Sequence, residues 1–345
     1  MKFTDGQWML QPGVAAHYAA EAYAIEVHED RLVVLATTRP IKHRGDTLQG
    51  PTLTVTLSSP LPGVIRVSVE HYVASEAPRL HIPMLSAARA AWTWAEANPQ
   101  AVYRQPADIR TGDYGDAKLD DEFAWAGAEL FVTTGEARYR PDLDKLAINV
   151  PSWGDVKGLA WITLAQHRAK LNQNDNVVVK ARVMELAEEL VARQRASAYR
   201  LAMQEADFNW GSNSQVLNQA LMLIQAYRLN PKSDTLAAAQ ALFDHVLGRN
   251  PLGQSMVTGF GSKPPLHPHH RPSEADGVEP PVPGFLVGGP NPGQQDKTRC
   301  PLPYASAQPA LSYLDHFCSY ASNEIAINWN APLVYVSAAL QALTK

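Results

Sequence analysis

The chain has 345 residues, a formal net charge of −4 and a pI near 6.3, with 46% hydrophobic and 19% charged residues. That length fits two domains, or one large one, with enough apolar content for a substantial core. The acidic balance argues against nucleic-acid binding, because no basic excess is present to hold a phosphate backbone. No apolar run is long enough to span a bilayer, so no membrane partner is expected.

Met1–Gly13 has one lysine and no continuous apolar stretch behind it. It does not read as a secretory signal, so the cytoplasm is the default localisation. Cys300 and Cys318 are the only cysteines, which excludes a disulfide-rich scaffold and an all-cysteine zinc site. One bridge or two buried thiols both fit.

Residues 1–75 read as strands. Arg31–Ala36, Thr52–Leu57 and Gly63–Glu70 are short and β-branched, and the last two alternate apolar with polar. Turn-formers separate them at Pro12-Gly13, Arg44–Asp46 and Pro60–Gly63. The pattern predicts part of an antiparallel β-sandwich, with too few strands to close one. A short polar stretch, residues 76–83, forms the junction to the helical remainder of the chain.

From residue 84 the period becomes helical. Helices are predicted over Leu85–Ala97, Asp120–Thr134, Ala160–Leu171, Val177–Gln204, Ser214–Leu229, Thr235–Leu247 and Ala331–Leu343. In the second of these Phe123, Ala126 and Leu130 share one apolar face, and Gly127 leaves room for close packing. Asn213-Ser214 and Ser233-Asp234 offer N-caps, and Gly135 and Gly248 offer helix stops. Short connections between helices suggest stacked helical hairpins.

Half of the 26 prolines fall between Pro251 and Pro309, with 8 of the 21 glycines. So punctuated a segment cannot be regular helix or central strand, and a long irregular stretch in a compact domain is a functional loop or a linker. Within it Ser255–Arg271 carries His267, His269, His270 and Arg271 on a proline-rich frame. Neutral imidazoles and a guanidinium can hydrogen-bond sugar hydroxyls. Zinc ranks below that, since the histidines lack a helical i, i+4 pair or a cysteine partner. A solvated polar loop is the plainer alternative.

Downstream, Tyr313–Ala331 places Asp315 and Glu324 nine residues apart among aromatics and amides, including Tyr320, Asn323 and Trp329. Cleaving a glycosidic bond needs a carboxylic acid that stays protonated near neutral pH, and an apolar or aromatic wall raises a carboxyl pKa. Glu324, between Asn323, Ile325 and Ala326 and close to Trp329, could meet that need. On spacing alone, a helix-capping glutamate and a surface aspartate explain the pair as well. Trp210, in Asn209–Asn213, could stack on a sugar ring or simply be buried at a helix start. Asp113 and Asp116 read as turn-formers rather than as cation ligands.

These motifs carry a resemblance. Residues 84–345 resemble the later part of a family 9 glycoside hydrolase catalytic domain, from the family of β-1,4-glucanases and cellodextrinases with an (α/α)6 barrel. Both long signatures are present, Ser255–Arg271 and Tyr313–Ala331. Ile109–Asp116 with Asp121–Phe123 and Trp125, and Trp210–Asn213, also match. The resemblance implies an inverting hydrolase with Glu324 as general acid, Asp315 as its acidic partner and His269 in the catalytic group. It implies Arg271, Trp210 and Trp329 as substrate-binding residues, a β-glucan or cello-oligosaccharide as partner, and no cofactor or metal.

The family's general base sits in an Asp-Ala-Gly-Asp element, which this sequence lacks. The base is therefore unassigned and activity is expected to be low. Residues 1–73 resemble the N-terminal β-domain of family 31 α-glycosidases, through Lys2–Gly13 with Trp8, and Arg66–His71. The family 31 catalytic barrel is absent. The expected fold is mainly α, an incomplete (α/α)6 toroid preceded by a partial N-terminal β-sandwich, with seven or eight helices against the twelve of a whole toroid. A glucan-binding remnant without turnover is the alternative function, and an α-xylosidase-type activity is a third.

Overall fold

The structure is a computed structural model that describes residues 16–43, 46, 50–71, 84–109, 115 and 118–344. The Lys2–Gly13 motif with Trp8, the junction 76–83, and Asp113 and Asp116 lie outside the described residues. The chain divides into two compact units, residues 1–90 with 101–115, and residues 91–100 with 116–345.

The first unit holds one antiparallel sheet in the order β1-β2-β3-β4, formed by β1 (Glu21–Val27), β2 (Arg31–Thr37), β3 (Thr52–Leu61) and β4 (Val64–His71). The register explains the alternation. Val55 pairs with Val34 and Val69, and Leu57 with Leu32 and Val67, so β3 and β4 share one apolar face, while β2 is apolar on both, its Val33 and Leu35 pairing with Thr56 and Thr54. Thr54 and Thr56 pair with Glu70 and Ser68, which fall on the other. Among the described residues this is a single meander, so the expected sandwich is corrected to one sheet. β1 gives no clear strand signal because Glu-Ala-Tyr-Ala-Ile-Glu-Val is alanine-bearing and lacks a β-branched run.

The second unit is helical. Its longer helices are α1 (Met84–Ala97, whose last turns belong here), α2 (Asp120–Thr134), α3 (Lys157–Gln166), α4 (Gln173–Ala196), α5 (Ser212–Leu229), α6 (Ser233–Val246) and α9 (Ile327–Leu343). Two single-turn helices, α7 (Arg271–Ala275) and α8 (Tyr320–Asn323), lie in the long loops. α3, α5 and α9 form an inner row, α5 touching both others, while α2, α4 and α6 back them. The core fills the space between the rows with Trp161, Leu164, Leu190, Leu217, Leu223 and Leu242, all nearly or fully buried.

Local chemistry sets the helix ends. α2 stops at Gly135, which is left-handed and returns its N–H to the Phe131 carbonyl at 2.8 Å. Gly127 permits close packing as expected, since a Cβ there would lie 2.8 Å from the Tyr139 carbonyl and 3.3 Å from the Trp92 ring. The buried face of α2, however, is Gly127, Ala128, Leu130 and Val132, and Ala126 is exposed. α4 begins earlier than its apolar period suggests, because the Asn172 side chain accepts the Asp175 N–H at 2.9 Å. It ends at Ala196 rather than Gln204, as the chain turns through Arg200 at positive φ. α5 and α6 have no side-chain N-cap, and Asn213 is used elsewhere.

Candidate active site

The loops after α6 converge on the start of α5 and the start of α9. The backbone does this through short bridges, Val257 with Leu286, His269 with Glu324, and Val287 with Ile325. Gly288 donates its N–H to the Glu324 carbonyl at 3.0 Å, and its own carbonyl accepts from Asn213 at 3.0 Å. Asn213 also donates its side-chain N–H to the Val287 carbonyl at 2.9 Å, and the Ser212 hydroxyl donates to the Pro290 carbonyl at 2.8 Å. The α5 start and the proline-rich loop are therefore stitched together beneath Glu324.

Glu324 is half-buried, and its Oε2 accepts the Trp210 indole N–H at 3.2 Å. Burial pushes its carboxyl above the usual range, while the Trp210 hydrogen bond and the charges of His269 and Arg271 pull the other way without cancelling it. Trp210 is 42% exposed and leans on Tyr320, with ring centroids 5.4 Å apart. It stands there because Gly211 is left-handed and carries no Cβ, which would fall 2.7 Å from the Trp329 ring nitrogen. Trp329 itself is buried in the core beneath Gly211 and Gly288. It presents no open face, which corrects the expectation of a substrate-binding ring: it is the floor on which Trp210's turn rests.

His269 stacks on Phe317 with centroids 5.0 Å apart and meets Tyr320 edge-on at 6.2 Å. Its Nδ1 lies 2.5 Å from the Phe317 carbonyl, an acceptor, so Nδ1 donates there and Nε2 is the nitrogen left for other partners. His270 turns away to cap α7, its Nδ1 2.9 Å from the Ser273 hydroxyl, and burial lowers its pKa. Arg271 opens α7 on the exposed side, close enough for its charge to act on Glu324.

Asp315 is occupied differently. Its Oδ2 accepts the Leu266 N–H at 2.8 Å, and its Oδ1 accepts the His267 N–H at 3.0 Å and the Asn323 amide at 3.2 Å. Asn323 in turn donates to the His267 carbonyl at 2.7 Å and accepts the Tyr313 hydroxyl at 2.5 Å. Asp315 thus anchors the histidine loop against the segment that carries Glu324.

Sequence reasoning missed the parts that hold this arrangement. Asp296 is fully buried, accepts the Tyr304 hydroxyl and the Ala321 N–H at 2.7 Å each, and fixes the α8 turn ahead of Glu324. Cys300 and Cys318 form a disulfide across the same region, which decides between a bridge and two free thiols. Trp210, His269, Arg271, Asp315 and Glu324 are brought together.

Half a ring of helical hairpins, with its loops gathered at one end, is the fold of a helical-toroid protein. It superposes on a solved thermostable endoglucanase from Alicyclobacillus acidocaldarius with a TM-score of 0.68 and 38% identity, over 74% of this chain and 49% of that one. The model of glycosyl hydrolase family 9 matches residues 72–337, and the chain belongs to that family. It is 42% identical over 276 residues to a xyloglucan-specific endo-β-1,4-glucanase of Bacteroides ovatus, covering 75% of this chain and 46% of that protein. The chain spans less than half the length of the first curated relatives it matches. A separate match of 72 residues, 36% identical, is to a protein named alpha-xylosidase from Emericella nidulans. It covers 21% of this chain and 9% of that protein, too little to define a family.

Proposed function

We propose that the site is built to cleave β-1,4-glucosidic bonds by acid–base hydrolysis, with Glu324 as the general acid. The observation that carries this is the half-buried Glu324 carboxyl, raised in pKa by burial and steered by the Trp210 N–H. Such a group keeps its proton toward neutral pH and can give it to a leaving glycosidic oxygen. The exposed Trp210 ring, leaning on the partly buried Tyr320, supplies a surface for a pyranose, and His269 and Arg271 supply hydroxyl ligands beside it. Asp315 serves as the positioning residue of the histidine loop, since both its oxygens are engaged there. The names of the relatives, endo-β-1,4-glucanases and cellodextrinase, support the substrate class.

Inversion requires a second carboxylate to activate water. No Asp-Ala-Gly-Asp element is present, and losing a general base costs orders of magnitude in rate. We therefore expect very slow turnover and glucan binding that outlasts it. The test is reducing-end release from cello-oligosaccharides and from xyloglucan, beside binding by calorimetry. Slow release abolished by Glu324→Gln supports the hydrolase. Binding without release supports the non-catalytic reading, and neither one from a folded sample would sink both.

The domain division proposed is 1–75, a junction at 76–83, and 84–345. The family 31 likeness of residues 1–73 rests on Lys2–Gly13 and Arg66–His71, and the family 9 match begins at residue 72. An α-xylosidase-type activity ranks last, because that family's catalytic barrel is not in this sequence.

A further inference from the structure

α9 is composed like an inner helix but is open along one side. Its sequence, Ile327–Leu343, contains no charged residue. Trp329, Leu333, Val336 and Leu340 bury against α5 and α6. The opposite flank presents Ile327, Ala331, Val334, Ala338 and Ala342, spaced three and four apart and not buried; Ile327 is 92% and Val334 67% exposed. An uncharged helix with apolar residues on both of its opposite flanks suits an interior, and only Asn328 and Gln341 among its exposed residues are polar. α4 shows what a solvated flank looks like in this protein: it exposes Lys180, Glu185, Glu188 and Glu189 to varying degrees.

The inner row runs α3, α5, α9, and α9 is its last described member. The solved family members whose folds match are about twice as long, this chain covering 48–50% of each, and their inner helices close into a ring. The next inner neighbour of α9 therefore comes from the part of the domain this chain does not match. Alanines at 331 and 338 on the open flank let another helix approach closely, with its larger apolar residues seated between Ile327 and Val334.

We propose that the Ile327–Ala342 flank of α9 is a docking surface for the complementary half of a family 9 domain, a set of helical hairpins presenting an apolar inner stripe. Its occupant is that half-domain supplied as a polypeptide, and not a second copy of this chain. The inference goes beyond the catalytic reading and does not need it.

The test co-expresses this chain, affinity-tagged, with the part of the Bacteroides ovatus relative's family 9 domain that it does not match. Co-expression lets association and folding proceed together. A one-to-one complex by native mass spectrometry is expected. Val334→Glu, and separately Ala338→Arg, should weaken it at least tenfold with an unchanged melting curve of the tagged chain, while Lys180→Glu on α4 leaves it intact. No complex, or a complex indifferent to both α9 variants, overturns the proposal. So does a homodimer of the chain alone that Val334→Glu splits. Glucan hydrolysis is measured separately, so an inactive complex would count against the role of Glu324 and not against the docking.

Discussion

The indole N–H of Trp210 donates to Oε2 of Glu324 at 3.2 Å, joining residues 114 apart in the chain. The contact ties an exposed ring to a carboxyl whose pKa burial raises. It also sets the sign of a first test. The hydrogen bond favours the carboxylate, so Trp210→Phe should move the Glu324 titration midpoint further upward. Carbon-13 NMR of labelled glutamate carboxyls measures this without requiring turnover. An unchanged or lower midpoint would show that the bond does not act on the acid.

Removing the Asp315 anchor should loosen the histidine loop. Asp315→Ala leaves the Leu266 and His267 N–H groups and the Asn323 amide without their acceptor. Unfolding in urea should show a loss of about 2 kcal/mol, and limited proteolysis should become faster between Lys263 and Arg271. Asp315→Asn keeps one acceptor oxygen and should recover part of both effects.

His245 gives the protein a pH-dependent stability. The residue is 2% exposed, its Nδ1 has no hydrogen-bond partner, and burial followed by the Arg249 charge pushes its pKa down to about 4. The unfolded chain takes up a proton near 6.5, while the folded one resists until about 4. Stability is therefore greatest above pH 6.5 and falls as pH drops from 6.5 toward 4. Between pH 7.5 and 5 the contribution is about 2 kcal/mol. His245→Leu should remove that slope in urea titrations run at the two pH values.

Arg140 and Asp175 form a two-pronged ion pair, with Nε and Nη2 at 2.7 and 2.6 Å from the two carboxylate oxygens. The Asp175 side chain is 2% exposed, and the hydrogen bond from Arg140 is the main cause holding its pKa below the ordinary 3.8. Arg140→Met strands a buried carboxylate and should cost about 3 kcal/mol in chemical denaturation. The pair's contribution is present above pH 3.8 and lost as pH falls below it, so the wild type and the variant should converge in strong acid.

Much of the helical unit is legible in the sequence because burial and period agree. The period of α2 marks both its ends, and those of α5 and α6 fall within two residues of the observed ones. Motif chemistry singles out Glu324, His269 and Arg271 without sight of their neighbours, and the fold brings these three together. What stays hidden is non-local. Trp329 is expected to bind substrate through the family resemblance, and only the close approach of Gly211 and Gly288 shows it as the buried floor. Asp315 reads as half of an acid pair, and only the backbone N–H groups of Leu266 and His267 reveal an anchor. Asp296 carries no local signal, because its partners Tyr304 and Ala321 lie 8 and 25 residues away. β1 escapes notice because its alanines and glutamates leave no β-branched run, although pairing with β2 decides its form.

The parallel bridge between His269 and Glu324 has a consequence for how the gene can vary. The His269 N–H is held by the Asn323 carbonyl at 2.8 Å, while Asp315, upstream of Glu324, grips Leu266 and His267, upstream of His269. Two lengths of chain are thus fastened at both ends, like parallel rungs. Inserting one residue between Asp315 and Glu324 would shift the acid out of step with the imidazole and turn its side chain to the opposite side. The exposed stretch from Ala275 to Glu279 is fastened to neither and can lengthen freely. Among natural variants, the nine-residue interval should be fixed while the loop after α7 drifts in size.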